Sequence, residues 1–497
     1  MGPVWAQQGG TKEELEKGKI GKYERKSISY FQTYYQVSMD RKHQEVIERG
    51  IRGAVEQGRF DYNAIPIDVD NINDLAQVIA RYVDQVKLDR AKAQAREDYR
   101  FKEKLVTGAD LERIINSAYI YIPILTKYKE GKIVTWTGTC LGVTVGAQVT
   151  FYHIKPLYVN GQLDDVQIAV LKTIVAESSK CQSEAKVVVN GKVIRGEPEN
   201  RWNAFESAVN GPFTGLARKI QVTLRKIPEF QLAAQVQSSG SNSITFEFGR
   251  QSDVELDAGY KVYEEMASKG KNYIGYVKVR KVGDEKAKPP VSSRAQKIIQ
   301  KEKIEAGTEI KEYPQLLLNG YLRGGIMPID QSQLASGASS IAPALLGGFE
   351  YDLARFIGIS ELWGNVEGHF AFGSKASNLG VEGGLVKKFY IRRLALDLGV
   401  RGGLDLIGRD PVQNESHDYS YYQDQFGLTG FGGLELLLTP WLSFTGQAGY
   451  RIYNHPDTWV MEKKEKENND TENPGTINGP VVNTSGPAIT FGITGMF

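Results

Sequence analysis

The 497-residue chain contains no run of about 18 apolar residues, which excludes a membrane-spanning helix. Cysteine is nearly absent: Cys140 and Cys181 stand alone, and neither lies at a metal-ligand spacing from any of the five histidines. There is no HExxH, CxxC, P-loop, GxSxG, or GxGxxG after a strand. No catalytic, cofactor-binding or metal residue is therefore assigned, and the chain is read as a non-enzyme. Lys and Arg number 61 against 59 Asp and Glu, so no basic excess points to nucleic acid.

What is present is alternation. Residues 394–407 read LALDLGVRGGLDLI, with Leu394, Leu396, Leu398, Val400, Leu404 and Leu406 on one parity and Asp397, Arg401 and Asp405 on the other. A period of two gives one continuously apolar face and one small and charged face. Seven further segments repeat the pattern: 316–327, 341–353, 361–372, 379–391, 426–438, 442–453 and 488–497. Leu322, Phe349, Tyr351, Phe389, Leu434, Phe444 and Ile493 are typical outward residues. Each segment approaches the ~10 residues that a tilted strand needs to cross hydrocarbon. Long or polar connections (328–340, 373–378, 408–425, 454–487) follow the odd strands, and short ones (354–360, 392–393, 439–440) follow the even. With eight strands, both barrel ends lie on the short-turn side, which places everything before residue 316 there too.

These segments resemble the eight-stranded OmpA-like outer-membrane barrel family over about residues 314–497. The resemblance implies an apolar exterior facing lipid, short turns facing the periplasm, and a C-terminal aromatic read by the barrel-assembly machinery. Phe491, Ile493 and Phe497 of GITGMF fit that signal. In so narrow a barrel the charges must neutralise one another inside. The expected lumen ion pairs involve Arg323, Glu350, Asp352, Glu367, Asp397, Arg401, Asp405, Glu435 and Arg451. His369 shares that face with Glu361 and Glu367, and an ion-pair role outweighs a metal site there. A soluble β-sandwich would instead have to expose these charges and bury the leucines. In the third outer loop, Ser416, His417, Asp418 and Ser420 resemble the His, Ser and Asp that some eight-stranded lipid-modifying barrels carry at the outer rim. Neighbours in a loop point different ways, so a solvated loop is the preferred reading.

The front of the chain is mixed. Residues 1–24 are read as a signal remnant and tether, because Val4-Trp5-Ala6 matches the end of a secretory signal whose body is expected upstream. Residues 25–226 interleave strands and helices: an extended 26–35, an amphipathic helix over 40–57, a second helix capped at Asn73, a solvated helical continuation over 87–105, a helix at 107–117, and buried strands at 118–126 and 133–154. Segment 164–177 fits both periods, and 202–219 reads as the last helix. Cys140 and Cys181 either form one disulfide or remain buried thiols. Residues 227–283 read as a small all-β module, and 284–313 as a charged linker carrying Pro289-Pro290.

Residues 25–283, through NSAYIYIPILTKY and VELDAGYKVYEEMASKGKNYIGYVKVRKVG, are similar to the periplasmic domains shared by the curli-pore subunit, the TolB amino-terminal domain and the flagellar H-ring protein. The expected architecture is thus an α+β periplasmic domain and a small all-β module followed by an eight-stranded antiparallel transmembrane β-barrel. The expected function is a non-catalytic outer-membrane anchor or scaffold, without cofactor. Its expected partners are outer-membrane lipid, the barrel-assembly machinery, envelope proteins and a second copy of itself. A subunit of an oligomeric export apparatus is the alternative reading, and an outer-leaflet lipid-modifying enzyme the third.

Overall fold

A computed structural model describes residues 26–64, 72–95, 99–101, 104–116, 118–135, 138–160, 162–182, 186–189, 192–195, 201–211, 214–266, 270–413, 417–465 and 471–497. The tether assigned to 1–24 lies outside them. The chain forms two compact units, one of 1–235 with 248–254 and 284–291, the other of 236–247, 255–283 and 292–497.

In the first unit, β1 (Lys26–Tyr30) lies parallel between β2 (Phe60–Ala64) and β3 (Tyr119–Thr135), and β4 (Gly138–Val159) and β5 (Gln162–Cys181) extend the sheet antiparallel. Alternation in β3 assigns the two faces. Tyr119, Tyr121 and Leu125 pack on α1 (Arg41–Val55), α4 (Arg201–Asn210) and α5 (Leu216–Arg225). Ile120 and Ile122 pack on α2 (Ile72–Leu88) and α3 (Gly108–Asn116). The Asp40 side chain caps α1 by accepting from the His43 backbone N–H at 2.9 Å. Asn73 does not cap α2, which already begins at Ile72. The continuation expected over 87–105 breaks into a short helix, Arg90–Ala95, and a hairpin of Tyr99–Phe101 with Lys104–Val106. The single helix expected over 202–219 is two, broken where the Gly215 N–H bonds to the Gly211 carbonyl at 3.0 Å. Cys140 and Cys181 are joined in a disulfide.

The second unit holds a β-module and the barrel. The module strands are β6 (Ser238–Ser239), β7 (Ser243–Phe246), β8 (Gly259–Met266), β9 (Gly270–Lys281), β10 (Ser293–Gln300) and β11 (Glu309–Glu312), in the order β11-β8-β9-β10-β7-β6. The linker assigned to 284–313 is therefore wrong over most of its length, and the module does not end at 283. Charge-rich composition concealed β10, whose Ala295, Lys297 and Ile299 are all buried.

The barrel runs β12 (Leu318–Pro328), β13 (Ile341–Asp352), β14 (Leu362–Phe372), β15 (Ala376–Ile391), β16 (Leu394–Gln413), β17 (His417–Thr439) and β18 (Leu442–Tyr453), each antiparallel to the next. The last strand, β21 (Gly486–Met496), pairs with both β18 and β12 and closes the cylinder. Leu322, Phe349, Leu396, Leu434 and Ile493 project outward and are about half exposed. The opposite parity is buried and charged. Only lipid makes such an exterior favourable, and closure satisfies the strand edges inside it, so this is a membrane-spanning barrel. Tyr351 is an exception to the outward set: its ring is covered by Arg355 and Phe356 of the turn that follows β13.

Two outer connections also differ from expectation. β16 and β17 continue as a paired ribbon to Gln413 and Asp418, where a loop was expected over 408–425. Within 454–487, β19 (Thr458–Glu465) pairs with the outer part of β17, and β20 (Thr471–Asn478) pairs with β19. Residues 414–416 lie outside the described set, as do the side chains of His417 and Asp418.

Candidate functional site

Inward glycines make room for the polar core. A Cβ at Gly380 would collide with His369 and Asp405, and one at Gly348 with the Tyr321 hydroxyl. Side chains then fill the lumen in levels set by position along β14 and β16. At the outermost polar level, Asp405 accepts from Asn378 Nδ2 at 2.7 Å, contacts His369 Nε2 at 3.0 Å and pairs with Arg451 at 2.9 Å. One level inward, Arg451 also reaches Glu382 at 3.3 Å, which accepts from Thr429 and Tyr453 at 2.7 Å each. Glu367 is held by Arg323 at 3.0 Å, by Arg401 and by the Tyr321 hydroxyl. The Arg401 and Arg323 guanidinium groups each lie 3.9 Å from a ring centroid, that of Phe431 and Tyr321 respectively. The third level is a single ammonium, Lys388, 2.7 Å from both Glu350 and Glu435.

Seven of the nine residues assigned to lumen ion pairs thus make them: Arg323, Glu350, Glu367, Arg401, Asp405, Glu435 and Arg451. Two do not, among the described residues. Asp352 instead accepts the Ala354 backbone N–H at 2.8 Å, because it ends its strand and starts the turn. Asp397 is buried near the third level, with one carboxylate oxygen lacking a hydrogen bond. Lys388 and Glu382 were missing from the assigned set. Their parity was legible, since both share the inward face of β15, but the partners were not.

Both ends of the lumen are stopped by apolar groups. On the outer side Trp459, from the added hairpin, packs with Met327, Ile329, Leu346, Ile407 and Val482, and its indole N–H bonds to the Pro480 carbonyl at 2.9 Å. On the other side Tyr276, Ile298 and Ile299 of the module pack against Tyr390, Ala395 and Leu437. Between the stoppers the cavity flanked by Glu367, Glu382, Arg401 and Arg451 measures about 30 Å³, room for a water or two and nothing larger.

The module is fastened to the barrel rim by a second buried network. Glu361 accepts from Lys278 at 2.6 Å, Arg280 at 2.7 Å and the Trp363 indole at 3.0 Å. Asp257 pairs with Arg280, accepts from the Ser360 hydroxyl at 2.6 Å, and takes the Glu361 backbone N–H. These bonds hold Glu361 at a φ of +54°, a conformation that costs free energy in a non-glycine residue. Burial, reinforced by the adjacent Glu361 charge, pushes the Asp257 carboxyl above the ordinary carboxylate range against the pull of Arg280 and Lys278. Gln296 adds a bond to the Tyr390 carbonyl at 2.7 Å, and Gln315 one to the Pro440 carbonyl at 2.9 Å.

Phe491 and Ile493 face outward, and Phe497 continues beside the strand, its N–H bonded to the Leu318 carbonyl at 2.9 Å.

No protein-family model and no curated protein matches the chain. Similar solved structures include a major outer membrane protein of Thermus thermophilus, at 13% identity and a TM-score of 0.26, covering 36% of this chain and 99% of that one. The outer membrane protein OprG of Pseudomonas aeruginosa is 12% identical with a TM-score of 0.20, over 36% of this chain and 94% of that one. The outer membrane protease OmpT of Escherichia coli is 9% identical with a TM-score of 0.23, over 53% and 99%. Scores this low carry no argument, and the reading rests on the barrel's own closure, exterior and lumen.

Proposed function

We propose that this chain is an integral outer-membrane protein of the OmpA-like kind whose barrel works as an anchor. It holds the β-module and the α+β unit at the periplasmic face, where they dock envelope proteins without catalysis. The observation that carries this reading is the pairing of a sealed lumen with a bolted rim. A barrel stopped at both ends by Trp459 and by Tyr276, with charges locked between, transports nothing. The Asp257–Arg280–Glu361–Lys278 network spends buried charge on fixing the module to the barrel, which suits a mount. In vivo crosslinking of the full chain in intact envelopes is the test. Adducts through residues 26–312 to an envelope protein are expected, and their absence, or ion conductance in planar bilayers, refutes the anchor.

The alternative, a subunit of an oligomeric export apparatus, draws on one feature of the first unit. The 20-residue strand β5 is a sheet edge with Val170 and Val175 exposed, a surface able to pair with another copy. A ring-sized mass for the detergent-extracted chain favours this reading, and a monomer removes it.

A further inference from the structure

Lys297 of β10 is 4% exposed, yet among the described residues no carboxylate pairs with it. Its ammonium donates to the Ser239 hydroxyl at 2.9 Å and to the Gly240 carbonyl at 2.8 Å, two neutral partners. A buried ammonium without a counter-charge is costly, and burial together with the positive charge of Arg392 lowers the Lys297 pKa. Both residues line a groove of about 560 Å³, whose other polar walls include Ser241, Gln300, Lys303 and Glu305. Glu305 offers no compensation, because Lys303 already holds it at 2.7 Å. Among the described residues neither Lys297 nor Arg392 has an ion-pair partner, so the groove carries two uncompensated cations, the Ser241 hydroxyl and the volume of a small-molecule site.

Its position along the barrel narrows the ligand. Arg392 sits in the two-residue turn between β15 and β16, and Ile391 and Leu394 flank it, exposed at 74% and 43%. Those side chains mark where the apolar exterior ends, so Arg392 stands at the level of lipid headgroups. We propose that this groove binds an anionic phosphate ester, with Lys297 and Arg392 neutralising the phosphate and Ser241 donating to its oxygens, while Ser239, whose hydroxyl donates to the Ile304 carbonyl, holds the Lys297 ammonium in place. The favoured source is the headgroup of an anionic phospholipid whose chains lie along Phe389, Ile391 and Leu394. Choice of lipid over free phosphate rests on the membrane reading of the barrel, whereas the two-cation groove does not.

The test uses the full chain in neutral maltoside micelles, titrated with dihexanoyl phosphatidylglycerol, dihexanoyl phosphatidylcholine and inorganic phosphate. Saturable binding of phosphatidylglycerol over phosphatidylcholine is expected, and Arg392→Gln and Lys297→Gln should each weaken it about fivefold. Arg392→Gln changes an exposed turn and is the informative variant if Lys297→Gln unfolds the module. Inorganic phosphate binding as tightly as the lipid, with the same loss in both variants, would keep the phosphate site and reassign its source. No saturable anion binding, or an affinity unchanged by Arg392→Gln, overturns the proposal. A chain that stays dispersed without detergent would defeat the membrane reading separately, leaving the inorganic phosphate titration to judge the groove.

Discussion

Replacing Lys388 by methionine tests the lumen most sharply. Among the described residues, Lys388 is the only cation within ion-pair distance of Glu350 and Glu435, at 2.7 Å from each. At an effective dielectric constant near 20, each such contact is worth roughly 6 kcal/mol before desolvation is counted. Without Lys388, Glu350 keeps a long bond from Asn319 at 3.3 Å and Glu435 one from the Tyr390 hydroxyl at 3.4 Å. Two buried carboxylates then face each other, with Asp397 nearby. Protonation and water entry return part of the loss, which leaves about 5 kcal/mol, the upper end for breaking a buried pair. Urea unfolding of the refolded chain in micelles, followed by the heat-dependent gel mobility of the barrel, measures this. The triple variant Lys388→Met, Glu350→Gln, Glu435→Gln removes all three charges and should recover most of the loss. Lys388→Met within about 1 kcal/mol of the parent, or a triple variant as weak as the single, would refute the picture of mutually compensating charges.

Trp459→Ala should cost about 3–5 kcal/mol, because it empties a buried site at the outer stopper; the same urea series reads it, and an unchanged midpoint would show that the hairpin does not seal the barrel. Changing both Cys140 and Cys181 to serine opens a 41-residue loop and should lower the stability of the first unit by about 4 kcal/mol, measured by thermal unfolding with and without reductant. Arg280→Met removes the ion pair of Asp257 and one contact from Glu361, so limited proteolysis should cut at 255–283 far faster while the barrel band stays heat-modifiable. Phosphatidylglycerol affinity should fall as pH rises through the depressed Lys297 pKa, since the neutral amine no longer balances the phosphodiester; a flat profile in that range contradicts the role given to Lys297.

Much of the barrel was legible because strand parity is a local property. Leu396 and Asp397 must point to opposite faces whatever else the chain does, and eight repeats of that rule give the strand count, the apolar exterior and the charged interior. In the first unit Tyr119-Ile120-Tyr121-Ile122 was readable only as a buried strand, because both parities are apolar, and which helices each face meets appears only in the fold. Strand β10 escaped notice because the stretches on either side of it are rich in lysine and glutamate, and the cost of burying Lys297 appears only once its surroundings are known. Which charges meet is also beyond a local rule. Lys388 lies directly opposite Asp397 in the ladder, yet its partners are Glu350, two strands away on one side, and Glu435, two strands away on the other. That choice depends on the stagger accumulated around the closed cylinder, on side-chain length and on the glycines that open space between levels. Sequence alone thus determined what faces lipid and what faces inward; closure decided the pairings, the stoppers and the bolt at the rim.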